Sequence, residues 1–235
     1  MAEILARIGG HEVGDGRRLL LIAGPCVLED EGHALRHARR VKRLAEKHGL
    51  PVVFKASFDK ANRSSGKSYR DPGLEVGLRA FEAVRRETGL SCTTDVHETW
   101  QAEPCGRVVD LLQVPAFLCR QTDLVIACAT HGESVSVKKG QFLAPREMRH
   151  AVAKCAEAGQ RNVLLMERGA SFGYGNLVVD MRSLVVMREL GVPVCLDATH
   201  SVQLPGGAGD VTGGDRQFVA PRPGPAGPRT AARRR

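Results

Sequence analysis

The chain has 235 residues, 43% of them hydrophobic, and a formal net charge of +8. That length and apolar share suit one α/β domain with a substantial core rather than two small domains. The charge is uneven, because residues 220–235, "APRPGPAGPRTAARRR", hold five Arg and no acid and leave +3 for the other 219 residues. Aromatic residues are only 4% and no basic helix is interleaved with stacking rings, so nucleic acid is not an expected partner. A basic arm for nucleic acid or acidic lipid is the alternative use of the tail. No run reaches the roughly eighteen apolar residues of a membrane span, and no signal-peptide pattern opens the chain, so a cytoplasmic location is expected. The seven cysteines are scattered without a CxxC pair, which argues against a disulfide framework or a zinc knuckle.

Short apolar runs alternate along the chain with longer segments of helical period. "RLLLIAGP" (18–25) ends at Cys26. Leu35, Ala38, Val41 and Ala45 then recur at steps of three or four, with Gly49 where a helix C-cap belongs. "PVVFKAS" (51–57) runs into a stretch that packs Lys55, Lys60 and Arg63 beside Asn62, Ser64 and Ser65. Leu74, Leu78, Phe81 and Val84 mark a second helix, closed by Gly89. "LSCTTDV" (90–96) carries Asp95 and precedes His97; "LLQVPAF" (111–117) carries Gln113 and precedes Arg120 and Gln121. "SVSVKKG" (134–140) brings Lys138 and Lys139, "NVLLMERG" (162–169) brings Arg168, and "PVCLDATH" (193–200) brings Asp197 and His200. Gly159 and Gly191 stand at two further helix ends.

The short length and β-branched content of the seven runs favour buried parallel strands. Seven βα steps without a GxGxxG turn predict a (β/α)8 TIM barrel rather than a doubly wound sheet, with one strand missing. The polar residues cluster at the C-terminal ends of the runs, the face where such barrels carry their sites. Lys55, Lys60, Arg63, Lys138 and Arg168 around one mouth point to phosphorylated substrates, since Arg forks and Lys point charges suit phosphate.

The segments "IAGPCVLEDE", "VFKASFDKANRSS", "TTDVHE", "QVPAFLCRQTDL", "KKGQFLAP", "ERGASFGYGNLVVDMRSL" and "DATHSVQLPGG" resemble the 3-deoxy-D-manno-octulosonate 8-phosphate synthases over about residues 18–219. The resemblance implies a (β/α)8 homotetramer that condenses phosphoenolpyruvate with arabinose 5-phosphate and releases phosphate, in lipopolysaccharide biosynthesis. The related seven-carbon-sugar synthases read like KPRTSP where this chain has KANRSS, so the eight-carbon product is expected and their activity is an alternative. Carried over by position, Asn62, Arg63 and Ser64 would hold the aldose phosphate. Lys138 and Arg168 would hold the phosphoenolpyruvate phosphate, with Lys60, Ser57 and Gln113 near its carboxylate. Lys55 is open to a substrate-binding or a structural reading. The catalytic candidates are Lys60, Asp95 and His200, with His200 or a metal-bound water as the proton shuttle and Asp95 orienting Lys60 or the sugar. His97 reads as structural.

Cys26 matches the branch of the family that uses a divalent metal, where other members carry Asn. With His200 it would ligate iron, zinc or manganese, whereas Cys26 read alone is a buried thiol. The family's other two ligands, a Glu and an Asp, lie in a region that this chain replaces with Ala, Pro, Arg and Gly after residue 219. That composition does not pack, so residues 1–219 are expected to form an incomplete barrel and 220–235 a disordered tail read out of frame. On that reading the alternative function is an inactive barrel that keeps its phosphate sites.

Overall fold

The computed structural model describes residues 6–14, 16, 19–61, 72–208 and 211–214. A hairpin comes first, β1 (Ala6–Ile8) and β2 (His11–Val13), turned through Gly9 and Gly10 at φ +53° and +77°. Then β3 (Leu21–Ala23), α1 (Glu31–Lys47), β4 (Val52–Lys55), α2 (Leu74–Thr88), β5 (Ser91–Asp95), α3 (Ala102–Gly106) and β6 (Leu111–Val114) alternate. The alternation continues with α4 (Thr122–His131), β7 (Val135–Lys138), α5 (Arg149–Glu157) and β8 (Val163–Glu167). A small antiparallel pair, β9 (Ala170–Ser171) with β10 (Leu177–Val178), precedes α6 (Arg182–Arg188) and β11 (Val194–Leu196). A second hairpin, β12 (Gln203–Ala208) with β13 (Val211–Gly214), follows.

The seven predicted strands are β3, β4, β5, β6, β7, β8 and β11, and they pair in that order as one parallel sheet. Each strand beside its sequence neighbour, with helices between, is the TIM-barrel arrangement and not the crossed order of a doubly wound sheet. Each strand is shorter than the apolar run that signalled it, because the polar end of the run belongs to the loop above. The expected glycines close their helices: Gly89 caps α2 at φ +69°, and Gly49, Gly159 and Gly191 also take positive φ just beyond helix ends.

Alternation along the strands separates two cores. Phe54, Leu112, Val114, Val135, Val137, Val163 and Leu165 face outward and pack with helix residues such as Ala38, Phe81, Val125 and Cys155. Phe54 and Phe81 meet edge to face at 6.5 Å, and each buried ring contributes about 1.5–3 kcal/mol. Leu111 and Leu164 face inward and pack with Ile8, Ala6 and Val13 of the first hairpin, which plugs the N-terminal end of the barrel. Ser91 Oγ donates to Gly9 O at 2.7 Å, and Gly9 N donates to Ser134 Oγ at 3.3 Å. At Gly24, just before Cys26, a Cβ would lie 2.0 Å from Lys55 O. Only glycine allows β3 to approach β4 that closely, which gives "AGPC" its glycine.

Candidate active site

The inward-facing positions at the C-terminal strand ends supply the polar cluster. Asp95, at the end of β5, accepts from Lys55 Nζ at 3.0 Å, from Ser57 Oγ at 2.9 Å and from the Gln113 amide. Lys60 Nζ donates to Ser57 Oγ at 2.7 Å, so the lysine reaches Asp95 through the hydroxyl. Burial opposes the Asp95 charge, yet Lys55, Lys60 and Lys138 hold the carboxyl well below its usual range. Burial likewise opposes the Lys55 charge, and Asp95 more than offsets it, leaving Lys55 raised.

Asp197 organises the other half. Its Oδ1 accepts from His200 N at 3.0 Å, while its Oδ2 meets His200 Nδ1 at 2.7 Å and Lys138 Nζ at 2.5 Å. Burial raises the Asp197 carboxyl, but His200 and Lys138 outweigh it and the group lies far below the carboxylate range. Burial, with Lys55 nearby, leaves Lys138 below the usual lysine range despite Asp197. Arg168 is 5% exposed; its Nη2 donates to Gln203 Oε1 at 2.9 Å, whereas Nε and Nη1 are buried without a partner. Burial works against this guanidinium, and Asp197 and Glu167 support it only in part. Two donors of a buried guanidinium are thus open to an anion, since buried donors left unpaired cost about 1–3 kcal/mol each.

Cys26 Sγ lies 3.7 Å from His200 Nε2. The His200 hydrogen bond, against burial and with help from Lys60, lowers the Cys26 thiol from 9.0 to about 6. A thiolate and an imidazole on one tetrahedral ion stand about 3.5 Å apart, and a ligating imidazole has its other nitrogen on a carboxylate, as His200 has on Asp197. The two donors therefore fit a divalent metal. Among the described residues no three His, Cys, Asp or Glu side chains converge as a metal group.

Of the sequence candidates, the structure brings together Cys26, Lys55, Ser57, Lys60, Asp95, Gln113, Lys138, Arg168 and His200. Asn62, Arg63 and Ser64 lie outside the described residues, as does the segment 215–235. Lys139 corrects the sequence expectation: it follows Lys138 and so faces the helices, buried beside Glu167 rather than in the mouth. His97 packs its ring edge to face on Phe58 at 5.8 Å, and its backbone N–H donates to Gln101 Oε1 at 2.9 Å. Asp197 was placed among the polar residues of the mouth but given no role, and Gln203 was not singled out. The signal for Asp197 was its place three residues before His200, where an Asp side chain can reach a following backbone N–H.

The DAHP synthetase I family matches residues 4–222. A 2-dehydro-3-deoxyphosphooctonate aldolase of Syntrophotalea carbinolica is 59% identical over 88% of this chain and 75% of its own length. Those of Trichlorobacter lovleyi and Alkalilimnicola ehrlichii are 56% and 57% identical, over 90% and 89% of this chain and 78% and 76% of theirs. The chain belongs to this family. The parallel strand order with helices between the strands is of the TIM-barrel type, and no helix among the described residues is long and apolar enough to cross a membrane.

Proposed function

We propose that this chain condenses phosphoenolpyruvate with D-arabinose 5-phosphate and water to give 3-deoxy-D-manno-octulosonate 8-phosphate and phosphate. The observation that carries the reading is Arg168, buried with two guanidinium nitrogens unpartnered, in a mouth where Lys55, Lys60 and Lys138 also converge. The names of the relatives support the same reaction.

Arg168 and Lys138 grip the phosphoenolpyruvate phosphate. Lys60, Ser57 and Gln113 hold its carboxylate, with Asp95 fixing Ser57 and Gln113 directly and Lys60 through the Ser57 hydroxyl. C3 of the enol ester then attacks the aldehyde carbon, the new alkoxide takes a proton from a donor at the mouth, and the water that adds to C2 restores that donor with its first proton. The resulting hemiketal phosphate collapses with C–O cleavage, the second water proton leaving with phosphate. Positioning and charge stabilisation do most of this work. We assign Lys60, whose ammonium is a proton donor at the mouth, to the alkoxide. His200 has both ring nitrogens engaged, on Asp197 and toward Cys26, which favours ligation over proton shuttling. Cys26 and His200 would hold iron, zinc or manganese, and the ion would supply positive charge beside the aldehyde oxygen. In the same reading the enzyme is a cytoplasmic homotetramer.

The test incubates the full chain with phosphoenolpyruvate and either arabinose 5-phosphate or erythrose 4-phosphate, with each metal, and measures phosphate and the product sugar acid. Turnover with the five-carbon aldose well above the four-carbon one is expected. Equal or reversed use of the two aldoses overturns the substrate assignment. Because the described residues hold no three-donor metal group, a second reading is ligand binding without turnover. Calorimetric binding of phosphoenolpyruvate with no phosphate release under any metal would select it.

A further inference from the structure

Lys139 and Glu167 form an ion pair that the reaction does not touch. They stand at the ends of β7 and β8 on the helix-facing side, each 1% exposed, with Nζ 3.4 Å from Oε1. Such a pair contributes little to stability, since desolvation rivals attraction and apolar replacements of similar volume are often neutral or stabilising. Its hydrogen bonds go to the backbone beside the site. Glu167 Oε1 accepts from Arg168 N at 2.9 Å and from Gly169 N at 2.6 Å. Lys139 Nζ donates to Gly169 O at 3.2 Å and to Gly140 O and Leu143 O at 3.4 Å each. Gly169, at φ +91°, is therefore held at both its N–H and its carbonyl, and the turn that sends Arg168 inward is fixed from behind. The same ammonium joins the loop after β7, which carries Lys138, to the turn after β8.

We propose that Lys139 and Glu167 are positioning residues that set Arg168 and Lys138 against the phosphoenolpyruvate phosphate; this rests on the reading of function given above. The two members act differently. Loss of Lys139 leaves an unbalanced carboxylate near Arg168, where it competes with the substrate anion. Glu167→Gln keeps an oxygen that accepts from the two backbone N–H groups, so its effect is smaller.

Calorimetric titration of the full chain with phosphoenolpyruvate, and separately with arabinose 5-phosphate, tests the pair. Lys139→Met is expected to weaken phosphoenolpyruvate roughly tenfold or more, the scale of small misplacements at a reacting group, with arabinose 5-phosphate changed less than about twofold. Lys139→Arg should recover most of the loss. The double variant Lys139→Met/Glu167→Met, which buries no charge but leaves the Arg168 and Gly169 N–H groups without their acceptor, should still melt cooperatively as a folded chain yet bind phosphoenolpyruvate about tenfold more weakly. Parent-like binding by a folded double variant would mean that the pair only fills space. Equal weakening of both ligands would indicate general loosening and also overturn the proposal. If the parent chain itself binds no phosphoenolpyruvate, the reading of function falls and this inference falls with it.

Discussion

Every residue of β6, β7 and β8 is buried, whereas β3 and β11, at the two ends of the sheet, hold only half-buried or exposed residues. Lys138 and Arg168 rise from the buried wall, while Cys26 and His200 follow the two end strands. The difference separates two kinds of site. Charges in a dry, crowded wall act strongly on an anion and need little rearrangement to receive it. A thiol and an imidazole at an open wall remain within reach of solvent and of an arriving ion. The buried wall should therefore govern phosphoenolpyruvate affinity, and the open wall metal content.

Arg168→Ala tests the first half with the largest effect. Losing charge-assisted bonds worth about 1.5–3 kcal/mol should weaken phosphoenolpyruvate about 10- to 100-fold by calorimetry, with zinc content of the loaded protein unchanged. A parallel fall in zinc would erase the distinction between the walls. Cys26→Ala is the converse: bound zinc should drop several-fold by elemental analysis, because one of two converging donors is gone, while metal-free protein still binds phosphoenolpyruvate within about twofold of the parent.

Thiol reactivity sharpens the contrast at smaller scale. Cys26 becomes thiolate above about 6, so near neutral pH iodoacetamide should label it first, and the rate should fall as pH drops through about 6. Burial pushes Cys92, Cys105 and Cys128 up to about 12, so they should stay unlabelled until the chain unfolds. Labelling of Cys92 before Cys26, read by peptide mass spectrometry, would contradict this ordering. The smallest effect is in hydrogen exchange: amides of β3 and β11 should exchange faster than those of β6, β7 and β8. Uniform protection across the sheet would show that the ends are no weaker than the middle.

The strand sequence was legible because buried parallel strands write themselves as apolar runs, and the site because charged residues at the ends of those runs have nowhere else to converge. Facing was harder to read. In "KKG" one lysine enters the mouth and the next is buried behind it, a distinction that strand register alone makes. The first hairpin went unpredicted since its strands have three residues each, although "ARIGGHEV" sets Gly-Gly between alternating positions, a recognised hairpin signal. Asp197 was seen at the mouth but not its double grip on Lys138 and His200, because Lys138 is far away in sequence.

That hairpin also bears on how the chain assembles. Arg7 N bonds Asn162 Oδ1 across 155 residues of sequence, and Gly9 N bonds Ser134 Oγ across 125. Loops of that length close slowly, and the partners must already stand in their strands before the contacts form. A segment near the start of the chain thus completes its hydrogen bonds only once Ser134 and Asn162, just before β7 and β8, are in place. Ribosome-bound chains stopped short of β8 should accordingly leave Ile8 accessible to protease while α1 and α2 are already folding.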